Sequence, residues 1–443
     1  MTSWTGRTSA RASAVVLLVL GASACLSDNP SFDEVVSAGE SSSSGPASST
    51  SSTGSTGSTE TSLDTAGGSS TIGLSATAGT TTGAGTTTGW TSWTTSGATT
   101  GGTTGATTGE PEDLGQWMYR QKIRFGVSMN QVELVDFPAL ITLTPMHFAF
   151  ANARSDGADL RFVDADGQTV LAHETEEWEP AQVGRIWVRV PQIDAQTDQD
   201  FIWLYYGKPD AIPGDDPYAL WTDDYWGVWH LASEDDASIN EHHLSNQGAL
   251  VGPGRVGEGS ELDGASHLDA PPAEGGELGT SAGHLSAWFR ASGPPGDIAH
   301  IVYLSDVTSG NGHGVEHELH ANLKNNGQVQ GFACCNAGNA QGPLADDPSW
   351  HHVLLSWEQG DAKPLTVFVD GAPVATNENQ MQLFEFSALI RIGRPGAAQR
   401  RFTGSIDEVR VSSASRGLDW ARSEFRAIAT PDQFLLFGAE EAL

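Results

Sequence analysis

The sequence has 443 residues, which is enough for two or three domains. It carries 55 acidic and 22 basic residues, a formal net charge of −33, and this argues against nucleic-acid binding, which relies on neutralising phosphates. The same balance is compatible with divalent cations and neutral ligands. The three cysteines, at positions 25, 334 and 335, do not form the framework of a disulfide-rich fold.

The N-terminus has the pattern of a targeting signal. Two arginines precede an apolar run at 14–22, which is too short to span a bilayer as a helix, and Ala22-Ser23-Ala24 supplies small residues for cleavage. We therefore predict a signal peptide at 1–24 and export of the chain. Cys25 follows directly, and this segment resembles the lipobox of bacterial lipoproteins, whose cysteine is acylated.

That resemblance implies lipidation at Cys25 and localisation at the outer membrane or cell surface, with the lipid anchor as the only membrane contact. The same small residues also fit an ordinary secretory cleavage site, so secretion is the alternative. From residue 25 to residue 112 the composition changes: of the 70 residues from 41 to 110, 54 are serine, threonine or glycine. Apolar side chains are too sparse there to offset chain entropy, so we predict a disordered tether.

After the tether, strand signals recur with little helical periodicity between them. Apolar and β-branched runs predict strands at 140–143, 161–163, 169–171, 186–190 and 201–206. Asp166-Gly167 is a hairpin turn signal between the second and third of these runs. We predict an antiparallel β-sandwich over residues 113–212.

Five motifs in this region lie in a recognisable order. They are Trp117 with Tyr119 and Arg120, Asp136-Phe137-Pro138, Gly157 with Asp159 to Phe162, Trp187-Val188 with Val190-Pro191, and Tyr205-Tyr206-Gly207. In these motifs the region resembles the bacterial and archaeal domain of unknown function 2341. The resemblance implies an extracellular β module of the kind found beside lectin-like domains, and it implies no known activity.

Strands also dominate from residue 225 onward. Apolar runs predict them at 285–290, 314–321, 350–357, 365–369 and 389–392, and only 418–428 has helical spacing. Family-like motifs follow one another at Gly227 to Leu231, Leu262 to Gly264, Ala287 to Phe289, Trp350 to Val353, Val369 to Gly371, Ile392-Gly393 and Gly404 to Val411. With them, residues 220–443 resemble the laminin-G-like, concanavalin A-like jelly-roll superfamily. The predicted fold class is thus all-β, with two β-sandwich domains after the signal peptide and tether.

Some relatives in that superfamily are glucanases, which carry two glutamates and an aspartate alternating on one strand. The sequence has no Glu-x-Asp-x-Glu run and no Gly-x-Ser-x-Gly elbow. We therefore predict no catalytic residues and expect a non-catalytic protein that binds a glycan or a cell-surface protein through its jelly roll. The alternatives are a structural or adhesive module that binds only proteins, and a polysaccharide-active enzyme.

One strand carries candidate ligand-binding residues. Alternation places Glu318 and His320 on one face with Asn322 in line, so we predict that these three contact a glycan. A zinc site is the less favoured alternative, because the spacing is not the His-Glu-x-x-His of a helical site. For Cys334 and Cys335 we predict a strained disulfide between neighbours, with free thiols or a cross-link between chains as alternatives.

The stretch 402–411 contains two acids in an otherwise apolar strand pattern. Its apolar positions 406 and 409 are three apart, which breaks the period of two and predicts a β-bulge at Asp407 and Glu408. In many relatives of the jelly roll this region helps to bind structural calcium, which takes several oxygen ligands. The resemblance therefore implies a calcium site formed by Asp236, Ser238, Asn240 and Asp407. The alternative is an Asp407 carboxylate that is hydrogen-bonded and needs no metal.

Overall fold

The computed structural model describes residues 113–222, 224–270, 277–278, 282–305, 318–333, 338–358, 365–377, 386–387, 389–395 and 399–443. The predicted signal peptide, the tether, Cys25, Cys334 and Cys335 lie outside these residues. Within the described ranges, no helix is both long enough and apolar enough to cross a membrane.

The first strand of the described chain alternates between buried and outward side chains, with Ile123 and Phe125 buried. The strands are β1 (Tyr119–Phe125), β2 (Leu134–Leu143), β3 (Arg161–Val163), β4 (Val170–Leu171), β5 (His173–Glu179), β6 (Val183–Ile193) and β7 (Phe201–Tyr206). Short 3₁₀ helices lie at Leu114–Gln116 and Phe150–Asn152, and the short helix α1 is Pro217–Leu220. The predicted hairpin turn is present, because β3 pairs with β4 and Gly167 has a positive φ of 72°.

The second half contributes eighteen strands and two helices within the described residues. The first nine strands are β8 (Tyr225–Trp229), β9 (Ser245–Asn246), β10 (Leu250–Pro253), β11 (Glu258–Asp263), β12 (Leu268–Ala270), β13 (Glu277–Leu278), β14 (Ala282–Ala291), β15 (Ala299–Ser305) and β16 (Glu318–Leu323). The others are β17 (Gln328–Ala333), β18 (Gly338–Leu344), β19 (His351–Glu358), β20 (Leu365–Val369), β21 (Ala372–Asn377), β22 (Phe386–Ser387), β23 (Leu389–Ile392), β24 (Thr403–Ser412) and β25 (Leu435–Ala442). The helices are α2 (Leu418–Ala429) and α3 (Pro431–Phe434).

These strands form two sandwiches, which confirms the predicted all-β class. In the first sandwich a five-stranded sheet, β25–β1–β7–β3–β4, accompanies a three-stranded sheet, β2–β6–β5. The second sandwich contains an eight-stranded sheet, β10–β11–β24–β14–β19–β20–β21 with β8 also paired to β24, and a seven-stranded sheet, β18–β17–β16–β15–β23–β12–β9. An apolar core that includes Trp229, Phe289 and Ile406 is shared by these two larger sheets.

The last strand of the chain does not belong to the jelly roll. β25 pairs antiparallel with β1, from Tyr119 opposite Ala442 to Phe125 opposite Leu435. No local signal in the sequence distinguishes this strand from its neighbours, which is why the predicted domain of 220–443 includes it. Long-range pairing instead makes it an edge strand of the first sandwich.

Helix α2 connects the packing of both sandwiches. Its buried Trp420 ring meets Phe137 of β2 edge-on, with the ring centroids 4.9 Å apart. The same apolar cluster contains Leu354 and Phe368, which lie on β19 and β20 of the second sandwich. The outer face of the eight-stranded sheet is therefore covered by apolar packing at β19 and β20.

The predicted bulge in 402–411 is confirmed. Along β14, Ser286 pairs with Arg410 and Trp288 with Asp407, so two residues of β24 lie opposite the single residue Ala287. Glu408, within the bulge, has a φ of 51°, which is the left-handed region that an extra bulged residue adopts at some cost in strain. The bulge turns Asp407 and Glu408 to two different environments.

Candidate functional site

One face of the seven-stranded sheet carries polar and aromatic side chains. The pairing register places Asp269, Arg391, Tyr303, His320 and Phe332 in one row across β12, β23, β15, β16 and β17. Directly paired residues point to the same face of a sheet. Their sequence neighbours, such as Leu304 and Ala321, point to the other face and lie in the core.

This row, together with His300, Glu318 and Asn322, is called the polar face below. At its centre the His320 ring stacks on Phe332 at a centroid distance of 4.8 Å and on Tyr303 at 5.6 Å. The His300 ring meets His320 edge-on at 4.4 Å. Four rings therefore form a continuous aromatic cluster over three adjacent strands.

The predicted residues Glu318, His320 and Asn322 are brought together on this face, as alternation along β16 requires. The Tyr303 hydroxyl donates a hydrogen bond of 2.9 Å to Glu318 Oε2. Asn322 Nδ2 lies 2.9 Å from His320 Nδ1. Asn322 Oδ1 is buried and has no hydrogen-bond partner within the part of the chain that the structure describes.

The imidazoles of the polar face are neutral near pH 7. Burial lowers the pKa of His300 to about 3 and the pKa of His320 well below its usual value. Burial also raises the pKa of Glu318, although the hydrogen bond from Tyr303 opposes that shift. A neutral imidazole offers one donor and one acceptor, so the face presents both kinds of hydrogen-bonding group without a high charge.

Access to the polar face is uneven. Tyr303 is 1% exposed and Asn322 is fully buried, whereas Glu318 and Phe332 are partly exposed. These last two would therefore be the first groups that a ligand from solvent meets.

The predicted calcium ligands near the start of the jelly roll form a self-contained loop. Asp236 accepts hydrogen bonds from the backbone N–H groups of Val228, Ser238 and His242, at 2.8 to 2.9 Å, and from the Ser238 hydroxyl. The Asn240 side-chain amide donates to the backbone carbonyl of Tyr225 at 2.8 Å. These contacts attach the loop to β8.

Asp407 has a different set of partners. Its Oδ2 accepts hydrogen bonds from the backbone N–H groups of Arg255 at 2.5 Å and Val256 at 2.9 Å, and its Oδ1 accepts one from Glu408 at 2.9 Å. A Cβ at Gly254 would lie 2.6 Å from Oδ2, so the turn after β10 approaches the carboxylate closely. With these contacts Asp407 matches the alternative interpretation, a hydrogen-bonded carboxylate. Binding of calcium by Asp236, Ser238, Asn240 and Asp407 stays a prediction.

A second constellation, which the sequence did not reveal, joins the two sandwiches. It consists of Glu174 and Glu176 on β5, His230 after β8, and Glu408 and Arg410 on β24, and is called the junction cluster below. His230 Nδ1 lies 2.7 Å from Glu408 Oε1 and 3.5 Å from Glu176 Oε2. The other imidazole nitrogen, Nε2, lies 3.3 Å from Glu174 Oε2.

Aromatic side chains enclose the junction cluster. The indole N–H of Trp187 donates to Glu176 Oε2 at 2.5 Å, and that of Trp221 donates to Glu174 Oε2 at 2.7 Å. The Arg410 guanidinium lies over both rings, 4.2 Å from the Trp187 centroid and 4.9 Å from that of Trp221. It also donates to Glu408 Oε2 at 2.6 Å.

The charges of the junction cluster shift one another. Burial alone would lower the pKa of His230, but Glu408, Glu174 and Glu176 together raise it well above 6.5. Burial likewise opposes ionisation of Glu408, yet His230 and Arg410 hold the pKa of Glu408 at about 2. For Glu176, burial and the nearby Glu408 charge raise the pKa. One signal was available in the sequence, because Glu174 and Glu176 alternate on one strand, but nothing local connects them to His230.

Comparisons with known families confirm both resemblances. Residues 262–420 match the model of the concanavalin A-like lectin/glucanases superfamily, and residues 156–222 match that of the domain of unknown function 2341. Among curated proteins, none matches the sequence.

Solved structures with a similar chain path share little sequence with this protein. Domain 4 of AbnA, an extracellular arabinanase from Geobacillus stearothermophilus in complex with arabinotriose, is 12% identical with a TM-score of 0.35, over 45% of this chain and 97% of that one. The CBM40 of a Ruminococcus gnavus IT-sialidase bound to alpha2,3 sialyllactose is 15% identical with a TM-score of 0.30, over 41% and 98%. Such overlaps carry no argument about the ligand of this chain.

Proposed function

We propose that this chain is a non-catalytic carbohydrate-binding protein and that its ligand contacts the polar face. The observation that carries the proposal is the row of stacked rings beside neutral hydrogen-bonding groups. Aromatic faces pack against the apolar C–H surfaces of sugars, which suits the partly exposed Phe332, while the partly exposed Glu318 suits a sugar hydroxyl group. Asn322 and the imidazoles lie buried beside these two groups. The matched family, which by its description comprises lectins and glucanases, supports a carbohydrate ligand.

The arrangement of carboxylates supports binding without catalysis. Glycoside hydrolysis by the common mechanisms needs two carboxyl groups roughly 5 to 9.5 Å apart. The two carboxylates of the polar face are Glu318 on β16 and Asp269 on β12, and three strand spacings, roughly 14 Å, separate these strands. Asp269 is also occupied by Arg394, whose Nη2 donates to it at 2.8 Å.

The proposal places the protein outside the cell. The N-terminal signal pattern and Cys25 support export and a lipid anchor at the cell surface, with secretion as the alternative, and the 25–112 segment would hold the sandwiches away from the membrane. A surface glycan is then the favoured partner. A cell-surface protein is the second candidate, because an exported β-sandwich can equally serve adhesion.

A glycan array probed with the full chain, with and without calcium, tests the proposal. Glu318→Gln and Phe332→Ala should each weaken binding about tenfold or more, since each removes a contact worth roughly 1.4 kcal/mol. Glu261→Gln is the matched control, because Glu261 is an exposed glutamate on the other sheet and should not affect binding.

Three results would overturn the proposal. The first is a glycan array on which the chain gives no signal while cross-linking identifies protein partners. The second is a loss of binding in Glu261→Gln equal to that in Glu318→Gln and Phe332→Ala. The third is release of reducing ends from a polysaccharide by the chain. The first result would favour an adhesive module, and the third would favour an enzyme.

A further inference from the structure

We propose that Glu176, His230 and Glu408 of the junction cluster bind a divalent transition-metal ion of the zinc class. One donor atom from each of the three lies within 4.8 Å of the other two. His230 Nδ1 is 2.7 Å from Glu408 Oε1 and 3.5 Å from Glu176 Oε2. Tetrahedral zinc bonds of about 2.0 to 2.2 Å put neighbouring donor atoms roughly 3.3 Å apart, so only small side-chain shifts are needed.

The imidazole is oriented as a metal ligand requires. A histidine that binds metal through one ring nitrogen almost always donates its other N–H to a carboxylate, a carbonyl or a water molecule. In this cluster Nδ1 faces the two candidate carboxylates, while Nε2 faces Glu174 Oε2 at 3.3 Å. Glu174 is itself held by the Trp221 indole, so it acts as a positioning residue for His230.

An orphaned oxygen in the cluster is an independent sign of a missing partner. Glu176 Oε1 is buried and has no hydrogen-bond partner within the described residues, although the side chain is only 6% exposed. Trp187 satisfies the other oxygen, Oε2. A buried carboxylate oxygen without a partner is costly, and this carboxylate faces His230 and Glu408. A cation between the three groups would supply the missing interaction.

The donor set favours a zinc-class ion over calcium. Calcium takes oxygen ligands, whereas a mixed imidazole and carboxylate set suits zinc and its neighbours.

The consequence is a metal cross-link between the two sandwiches. Glu176 lies on β5 of the first sandwich, whereas His230 follows β8 and Glu408 lies on β24 of the second. An ion held by all three would attach the sandwiches through bonds that neither sandwich could form alone. This site is separate from the polar face and does not depend on the proposed glycan binding.

The test uses the full chain, stripped with a chelator and titrated with Zn²⁺, with bound metal measured by mass spectrometry and Tm by calorimetry. Wild type should bind one equivalent of Zn²⁺ at the junction cluster, and this binding should raise its Tm. Glu176→Gln should lose that equivalent and the Tm rise, because its amide can still accept from Trp187 but binds zinc poorly. Ca²⁺ at the same concentration should not reproduce the shift.

Glu177→Gln is the matched control, since this neighbour on the same strand pairs with Arg185 instead of His230. It should behave as wild type. If Glu176→Gln does not fold, Glu174→Gln replaces it, with zinc affinity expected to fall about 10- to 100-fold for loss of the orienting carboxylate. If Glu176→Gln or Glu174→Gln binds zinc and shifts its Tm as wild type does, the metal is an adventitious ion only and the proposal fails. Absence of zinc binding by wild type would likewise overturn the proposal.

Discussion

Replacing Arg410 with methionine tests whether the charge network between the sandwiches stabilises the fold. The Arg410 side chain is 1% exposed and pairs at 2.6 Å with Glu408, whose side chain is also 1% exposed. Methionine keeps much of the apolar volume beneath the two indoles but removes the charge. Among the described residues, His230 is then the one close cationic partner that Glu408 keeps.

The expected loss follows from these contacts. Removing one partner of a buried ion pair costs about 3 to 5 kcal/mol, because the remaining charge is left buried. The two desolvated cation–π contacts with Trp187 and Trp221 add about 1 to 2 kcal/mol, partly offset by the methionine side chain. We therefore expect Arg410→Met to lower the free energy of unfolding by about 4 kcal/mol, and Tm by roughly 8 °C.

The assay is urea unfolding followed by tryptophan fluorescence, in chelator so that no metal contributes. The double variant Arg410→Met/Glu408→Gln should recover most of the loss, since it removes the unpaired charge as well. Arg120→Met is the matched control. Arg120 also makes an ion pair, to Glu441 at 2.8 Å, and a cation–π contact, to Trp203 at 4.0 Å, but its side chain is 31% exposed. Its loss should cost about 1 kcal/mol or less.

Two results would refute this reasoning. If Arg410→Met costs no more than Arg120→Met, burial does not strengthen the pair. If the double variant is less stable than the single variant, the cost comes from lost packing and not from an unpaired Glu408.

Three further predictions concern other parts of the structure. Asp407→Ala leaves the N–H groups of Arg255, Val256 and Glu408 without their acceptor and should cost about 3 kcal/mol in urea unfolding; a loss below about 1 kcal/mol would mean that these three hydrogen bonds do not stabilise the fold. His284 and His300 have folded pKa values of about 4 and about 3, below the usual 6.5, because they are buried. Their contribution to the free energy of unfolding is therefore complete above pH 6.5 and is lost as the pH falls towards those values, by up to about 1.4 kcal/mol per pH unit for each histidine. In a series of Tm measurements from pH 7 to 5, the Tm of His300→Gln should therefore fall less than that of wild type. A chain truncated after Phe434 lacks β25, so the β1 amides that pair with it should lose protection from hydrogen exchange; unchanged protection would mean that the edge strand is dispensable.

The candidate glycan-binding residues show what a local sequence pattern can predict and what it cannot. Alternation along one strand was sufficient to place Glu318, His320 and Asn322 on a common face, because side-chain direction in a strand has a period of two. It could not identify Tyr303 and Phe332 as their neighbours. That depends on the register between β15, β16 and β17, which is set by the packing of the opposite, apolar face.

By itself, the sequence determined the all-β class, the turn at Asp166-Gly167 and the bulge at Asp407 and Glu408. These features follow from backbone preferences and from the spacing of apolar side chains over a few residues. Only the tertiary structure decided that β25 pairs with β1, more than 300 residues earlier in the chain, and that Glu176 meets His230 and Glu408. Such contacts are selected by the burial of whole faces against one another, and no short window of sequence contains that information.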